Sequence, residues 1–195
     1  MEIKIRLEAG HCEAVTGCRF SHQVECPLDE IEEVIDPDVI FSRVLANKDD
    51  GHNKFLESIM VWVDIRATLK FWKQFDTYRM CTKQSKSTMH SIMKRPFSKY
   101  DFKSTVSVRA IDELNEYRDQ ENFEAVTDNL PDGYLQTRRV CISYKTIRSI
   151  LKQREFHKLP EWRYFRYEMA RQLKYPHLLG ADVFPAVPEE SKDEP

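Results

Sequence analysis

IMVWVDIRATLKFWKQFDTYR, residues 59–79, changes its hydrophobic period part-way along, and that change decides the fold. Ile59, Val61, Val63 and Ile65 alternate with Met60, Trp62, Asp64 and Arg66, the pattern of a strand with one buried face. Leu69, Trp72 and Phe75 then recur at helical spacing, so the strand hands over to a helix expected to run to about Arg79. Outward from this unit, residues 1–7 alternate as a second strand, followed by a cysteine-bearing loop. Helices are expected over 29–35 and 39–45, a turn at 47–51, and a polar loop over 81–88. A solvated helix over 112–128, broken by Leu130-Pro131-Asp132-Gly133, leads to a strand over 138–144 and to helices over 146–154 and 161–173. Strands at the beginning, middle and end with helices between them give a mixed α/β (α+β) class: one domain over 1–183, with a central, mostly antiparallel sheet flanked by helices. The polar, proline-containing segment 184–195 reads as a disordered tail.

Composition narrows the function. Only five glycines are present, and neither GxGxxG nor GxxxxGK[ST] occurs, so a glycine-rich phosphate loop is excluded. The net charge is −2, but its distribution is uneven: residues 27–50 hold eight acids and two bases, and residues 138–174 hold eleven bases and three acids. Such a basic segment suits an anionic ligand: a nucleotide, a cofactor phosphate or nucleic acid. With no run of eighteen apolar residues and no apolar leader, neither a membrane span nor a secretion signal is expected, and a cytoplasmic setting follows. His11, Cys12, Cys18, His22 and Cys26 lie close in sequence, but their spacings match no CxxC or HxxxH pairing. They read as thiols and imidazoles in a loop, with no metal.

Two stretches carry chemistry. In QFDTYRMCTKQSKSTMH, residues 74–90, Gln74, Arg79, Thr82, Gln84, Ser85, Ser87 and Thr88 offer the donors that surround a phosphate or a base edge. The plainer reading is a Ser/Thr loop satisfying its own backbone. In residues 130–162, a strand feeds a helix bearing Lys145, Arg148, Lys152 and Arg154, followed by His157 and Trp162. A planar Arg154 at the helix end suits a phosphate or a pyrimidine carbonyl, against the plainer reading of a solvated basic face.

Together these stretches resemble the flavin-dependent thymidylate synthases, whose hallmark is Arg-His-Arg-x-x-Ser-x-Asn-Glu-x-Ser-x-Arg after a Gly-His-x-x-x-Phe-Glu-like segment. Gly51-His52-Asn53-Lys54-Phe55-Leu56-Glu57 matches the earlier segment at His52 and Glu57, and Gln74, Arg79 and Ser87 match the later positions. Thr77 and Tyr78 stand for the first Arg and the His; Thr82, Gln84 and Ser85 stand for Ser, Asn and Glu; and Met89 stands for the closing Arg. Downstream, Leu130-Pro131, Tyr134 and the run from Tyr144 through Arg154, His157 and Trp162 are similar to the family's Leu-Pro, Tyr-Thr and Leu-Arg-x-x-x-His-x-x-Trp region. The likeness spans roughly residues 40–175 and is that of a divergent, phage-like branch, working in a bacterial host's cytoplasm.

What the resemblance implies is a homotetramer with active sites shared between subunits. FAD is reduced by NADPH, methylenetetrahydrofolate supplies the carbon, and C5 of dUMP receives it without a cysteine nucleophile. By position, His52, Tyr78, Arg79, Thr82, Gln84 and His157 would meet the cofactor. Gln74, Lys83, Ser85, Lys86, Ser87 and Arg154 would meet the nucleotide, with Lys83 or Lys86 replacing the missing arginine. Two alternatives stay open: the same chemistry on dCMP or giving a hydroxymethyl product, and a non-enzymatic module binding nucleic acid or a protein, for which no nucleic-acid-binding motif is present.

Overall fold

A computed structural model describes residues 1–22, 33–48 and 51–180. The helix expected over 29–35 falls largely outside these residues, and Cys26 and the tail 184–195 fall wholly outside them. Four strands, β1 (Glu2–Ala9), β2 (Met60–Thr68), β3 (Cys81–Ser85) and β4 (Leu135–Ser143), form one sheet in the order β1-β2-β4-β3. Every pairing is antiparallel. Among the described residues eight α-helices accompany the sheet: α1 (His11–Thr16), α2 (Asp36–Ala46), α3 (Leu69–Phe75), α4 (Thr88–Ser91), α5 (Val108–Asp119), α6 (Phe123–Asp128), α7 (Tyr144–Gln153) and α8 (Pro160–Gln172). The expected mixed α/β class with an antiparallel sheet is what forms.

The alternation in β2 works as read. Val61, Val63, Ile65 and Ala67 are fully buried, and they pack with Val140 and Ile142 of β4 under α3, α7 and α8. Phe71, Trp72 and Phe75 of α3 complete this core with Trp162 and Phe165 of α8. Three of the five rings of the quoted stretch, Phe71, Trp72 and Phe75, therefore fill the protomer's own core, and Trp62 lies on the outer side of β2, opposite Cys141 of β4. A second cluster, with Ile92, Phe97, Phe102, Ile111, Leu114, Val126 and Tyr134, sits under α4–α6.

Several expectations are corrected. The cysteine-bearing segment begins as helix α1, entered through Gly10 at φ 84°, where a Cβ would meet the Ser58 carbonyl oxygen at 2.5 Å. Helix α3 ends at Phe75 rather than Arg79, because the chain turns at Asp76–Tyr78 to start a new strand. The polar segment expected as a loop is edge strand β3 followed by the single turn α4. The helix expected over 112–128 is two helices, separated where Glu121 takes a left-handed φ of 55°.

Candidate active site

The first turn of α8 is pinned to the first turn of α3. The buried Glu161 carboxylate accepts hydrogen bonds from Thr68 N at 3.2 Å and Thr68 Oγ1 at 2.8 Å, and Thr68 caps α3 by accepting from Phe71 N at 3.1 Å. The next residue, Trp162, is thereby set against Phe71, with ring centroids 4.4 Å apart, and its indole reaches the rim of the core. There its Nε1–H donates to Gln74 Oε1 at 2.6 Å. The indole has only a donor to give, so Gln74 must present its oxygen to it, and the Gln74 amide nitrogen is left facing away with no acceptor among the described residues.

Arg154 follows the last residue of α7 and lies over the same indole, 4.5 Å from its centroid. Its Nε donates to the Tyr78 hydroxyl at 2.8 Å, and among the described residues neither Nη meets an acceptor. His157 stands beside Trp162, with ring centroids 6.1 Å apart. Its Nδ1 accepts from Leu159 N at 3.0 Å, which places the ring proton on Nε2. Burial, with the Arg154 charge adding to it, lowers the His157 pKa, so the ring is neutral at pH 7. Gln74, Tyr78, Arg154, His157 and Trp162 thus converge from four elements, as one donor cluster on an aromatic floor.

Residues on and around β3 divide by strand alternation. Lys83 points into the helix-covered side: its Nζ donates to the Tyr78 carbonyl at 3.3 Å, pairs with Asp76 at 3.2 Å and lies over the Phe75 ring. Thr82 and Gln84 take the other side, opposite Cys141 and Arg139 of β4. There Gln84 and Lys86 border an open groove with Asp64, Thr137 and Arg139; Ser85 also lines it at the strand's end, while the alternation places Ser85 on the side of Lys83. The Arg139 and Arg6 guanidiniums hold the Asp64 carboxyl down at about 2. Ser87 caps α4, accepting from His90 N at 3.3 Å. Arg79 and His52 are exposed, and no side-chain hydrogen bond to either is made among the described residues. The turn bearing His52 is fastened by buried Asn53, whose Oδ1 accepts from Lys145 Nζ of α7. Lys83 is therefore an anchored cation, and His52, Thr82 and Gln84 are not in the Arg154 cluster.

Cys81 and Cys141 both have thiol pKa values raised by burial, which keeps them protonated at neutral pH. Near the N-terminus, His11 stacks on Tyr175, the Cys18 thiol donates to the Ala14 carbonyl, and His22 meets the edge of Phe41.

Sequence reasoning missed Arg138 and Asp76. Arg138 Nη1 contacts both Asp76 oxygens at 2.9 and 3.0 Å, its Nε donates to Gln136 Oε1 at 2.9 Å, and its guanidinium lies 4.5 Å over the Trp72 ring. The signal was available: two consecutive arginines in a strand must point to opposite faces, and Arg139 takes Asp64 on the other side.

No protein-family model matches the chain, and no curated protein matches it. Solved structures do. Thymidylate synthase X from Helicobacter pylori, solved with FAD and dUMP, superimposes with a TM-score of 0.75 at 15% identity, covering 94% of this chain and 99% of that one. A UMP/dUMP methylase from Streptomyces cacaoi, bound with 5-Br dUMP, gives a TM-score of 0.65 at 12% identity, covering 91% of this chain and 93% of that one. Across nearly its whole described length, the chain has the fold of the flavin-dependent thymidylate synthases.

Proposed function

We propose that this chain is a flavin-dependent enzyme that moves a one-carbon group from methylenetetrahydrofolate to C5 of a deoxypyrimidine monophosphate, with dUMP giving dTMP and NADPH as reductant. The observation that carries the reading is Arg154, held at Nε by Tyr78 and from below by Trp162, with its planar fork of Nη donors left open. A fixed guanidinium of that kind suits the oxygens of a uracil ring or a phosphate better than a mobile cation does. The fold, shared with enzymes solved with dUMP or 5-Br dUMP, supports the same reading.

Gln74 favours uracil over cytosine. With its oxygen turned to the Trp162 indole, its amide directs its N–H donors toward a ligand. O4 of uracil accepts such a bond, and the amino group of cytosine does not. On this ground dUMP is preferred to dCMP.

The residues available for FAD fit its chemistry. Arg79, His52, Thr82 and Gln84 are exposed and supply guanidinium, imidazole, hydroxyl and amide groups, the donor set a pyrophosphate and a flavin ring edge require. When bound, FAD supplies the hydride that completes the methyl group. His157 adds a neutral Nε2–H donor beside Arg154. The protein's own part is to orient and polarise the pyrimidine, since neither Cys81 nor Cys141 is activated as a nucleophile. Shared sites in a homotetramer belong to the same proposal.

Gel filtration of protein mixed with FAD tests this reading. A flavin absorption band that travels with the protein, and shifts when dUMP is added, is expected. Colourless protein at saturating FAD overturns it.

A further inference from the structure

Met89 stands where the resemblance places a second phosphate-binding arginine, and it is exposed and uncharged. The Arg154 cluster continues instead into a second cationic group through Tyr78, whose hydroxyl accepts from Arg154 and whose carbonyl accepts from Lys83. Lys83 shares Asp76 with Arg138. Here two cations, Lys83 and Arg138, share one carboxylate, which leaves positive charge for an anionic oxygen.

Arg138 repeats the construction of Arg154. Each guanidinium lies 4.5 Å over an indole, Trp72 or Trp162, and each is fixed by a hydrogen bond from Nε, to Gln136 or Tyr78. Each keeps terminal donors open: among the described residues Arg138 Nη2 has no acceptor, and Ser85 lies directly across from Arg138 in register. We propose that Arg138, with Ser85, is the phosphate anchor of the nucleotide site, and that Gln74 and Arg154 hold the base at the other end. This rests on the nucleotide reading above. In it Asp76 is a positioning residue that aims Arg138 and moderates its charge, and Lys83 is the partner Asp76 neutralises.

Calorimetric titration with dUMP, deoxyuridine and inorganic phosphate separates the roles. Arg138→Gln is expected to weaken dUMP and phosphate by roughly tenfold to a hundredfold and to leave deoxyuridine unchanged. Asp76→Asn keeps the acceptor and its shape but removes the charge, so it should tighten dUMP and phosphate, again without effect on deoxyuridine. A purely structural Arg138–Asp76 pair predicts the reverse for Asp76→Asn: weaker binding of all three ligands or no change. Parent-like dUMP affinity in Arg138→Gln, or equal losses for dUMP and deoxyuridine, overturns the proposal. If phosphate binding depends on Arg138 while neither dUMP nor deoxyuridine binds the parent, the anchor stands and the nucleotide reading falls.

Discussion

Replacing Arg154 with alanine removes two kinds of interaction whose sizes can be separated. In the free protein it deletes one hydrogen bond to Tyr78 at 2.8 Å and a cation–π contact with Trp162 at 4.5 Å. These contribute about 0.5–1.5 and about 0.5–1 kcal/mol, so a stability loss of about 1–2.5 kcal/mol is expected. In a chain of this size that lowers Tm by roughly 2–10 °C and leaves the protein folded at 25 °C. Binding should suffer more. The open Nη fork makes charge-assisted bonds worth about 1.5–3 kcal/mol, a tenfold to hundredfold loss in dUMP affinity. Arg154→Lys should not restore binding, because a point charge cannot reproduce the fork or its seat on the indole. Calorimetric titration of both variants, with Tm measured alongside, is the assay. Parent-like dUMP affinity in folded Arg154→Ala would refute the reasoning, since the one fixed and unpaired guanidinium of the cluster would then face no ligand.

Other expectations follow from single features. His52→Ala should lower flavin retention while changing stability by no more than about 0.5 kcal/mol, because the side chain is exposed; unchanged retention after gel filtration contradicts its cofactor role. Gly10→Ala should destabilise by at least about 1–2 kcal/mol from the left-handed backbone alone, with the 2.5 Å approach to Ser58 adding to it; an unchanged urea midpoint contradicts the entry geometry of α1. The Asp64 carboxyl titrates at about 2 in the folded chain against an ordinary 3.8, so its stabilisation is full above about pH 4 and fades as pH falls toward 2. Asp64→Asn should therefore be less stable than the parent at pH 7 and converge with it near pH 2, and a gap constant with pH contradicts the ion pairs with Arg139 and Arg6.

The elements with strong periodicity were legible in the sequence, and the ones built by long-range pairing were not. Strand β2 declares itself because Val61, Val63 and Ile65 all face one core. Strand β3, with the sequence CTKQS, has polar residues on both faces and only one paired edge; its strand character comes from β4, more than fifty residues away in sequence. Helix α3 was read too long because Tyr78 keeps the helical spacing from Gln74, yet Tyr78 belongs to the turn that launches β3. The candidate residues were legible as types and positions, and the resemblance pointed to Gln74 and Arg154, which the fold brings to one indole. Their geometry was not: Trp162 meets Gln74 across 88 residues and Arg154 meets Tyr78 across 76, contacts that no local pattern encodes. Arg138 was hidden by its setting, one base among eleven in a basic segment, until the sheet gave it a face and a partner.

The central claim is that this chain builds a methyl group on C5 of dUMP. Mass spectrometry of the nucleotide recovered after incubating the purified protein with dUMP, FAD, NADPH and methylenetetrahydrofolate tests it most directly, with dCMP in a parallel reaction. The account predicts a product heavier than dUMP by one methylene and co-eluting with dTMP, formed only with all components present, and no conversion of dCMP. Recovery of unaltered dUMP from flavin-loaded protein, or conversion of dCMP in its place, would contradict it.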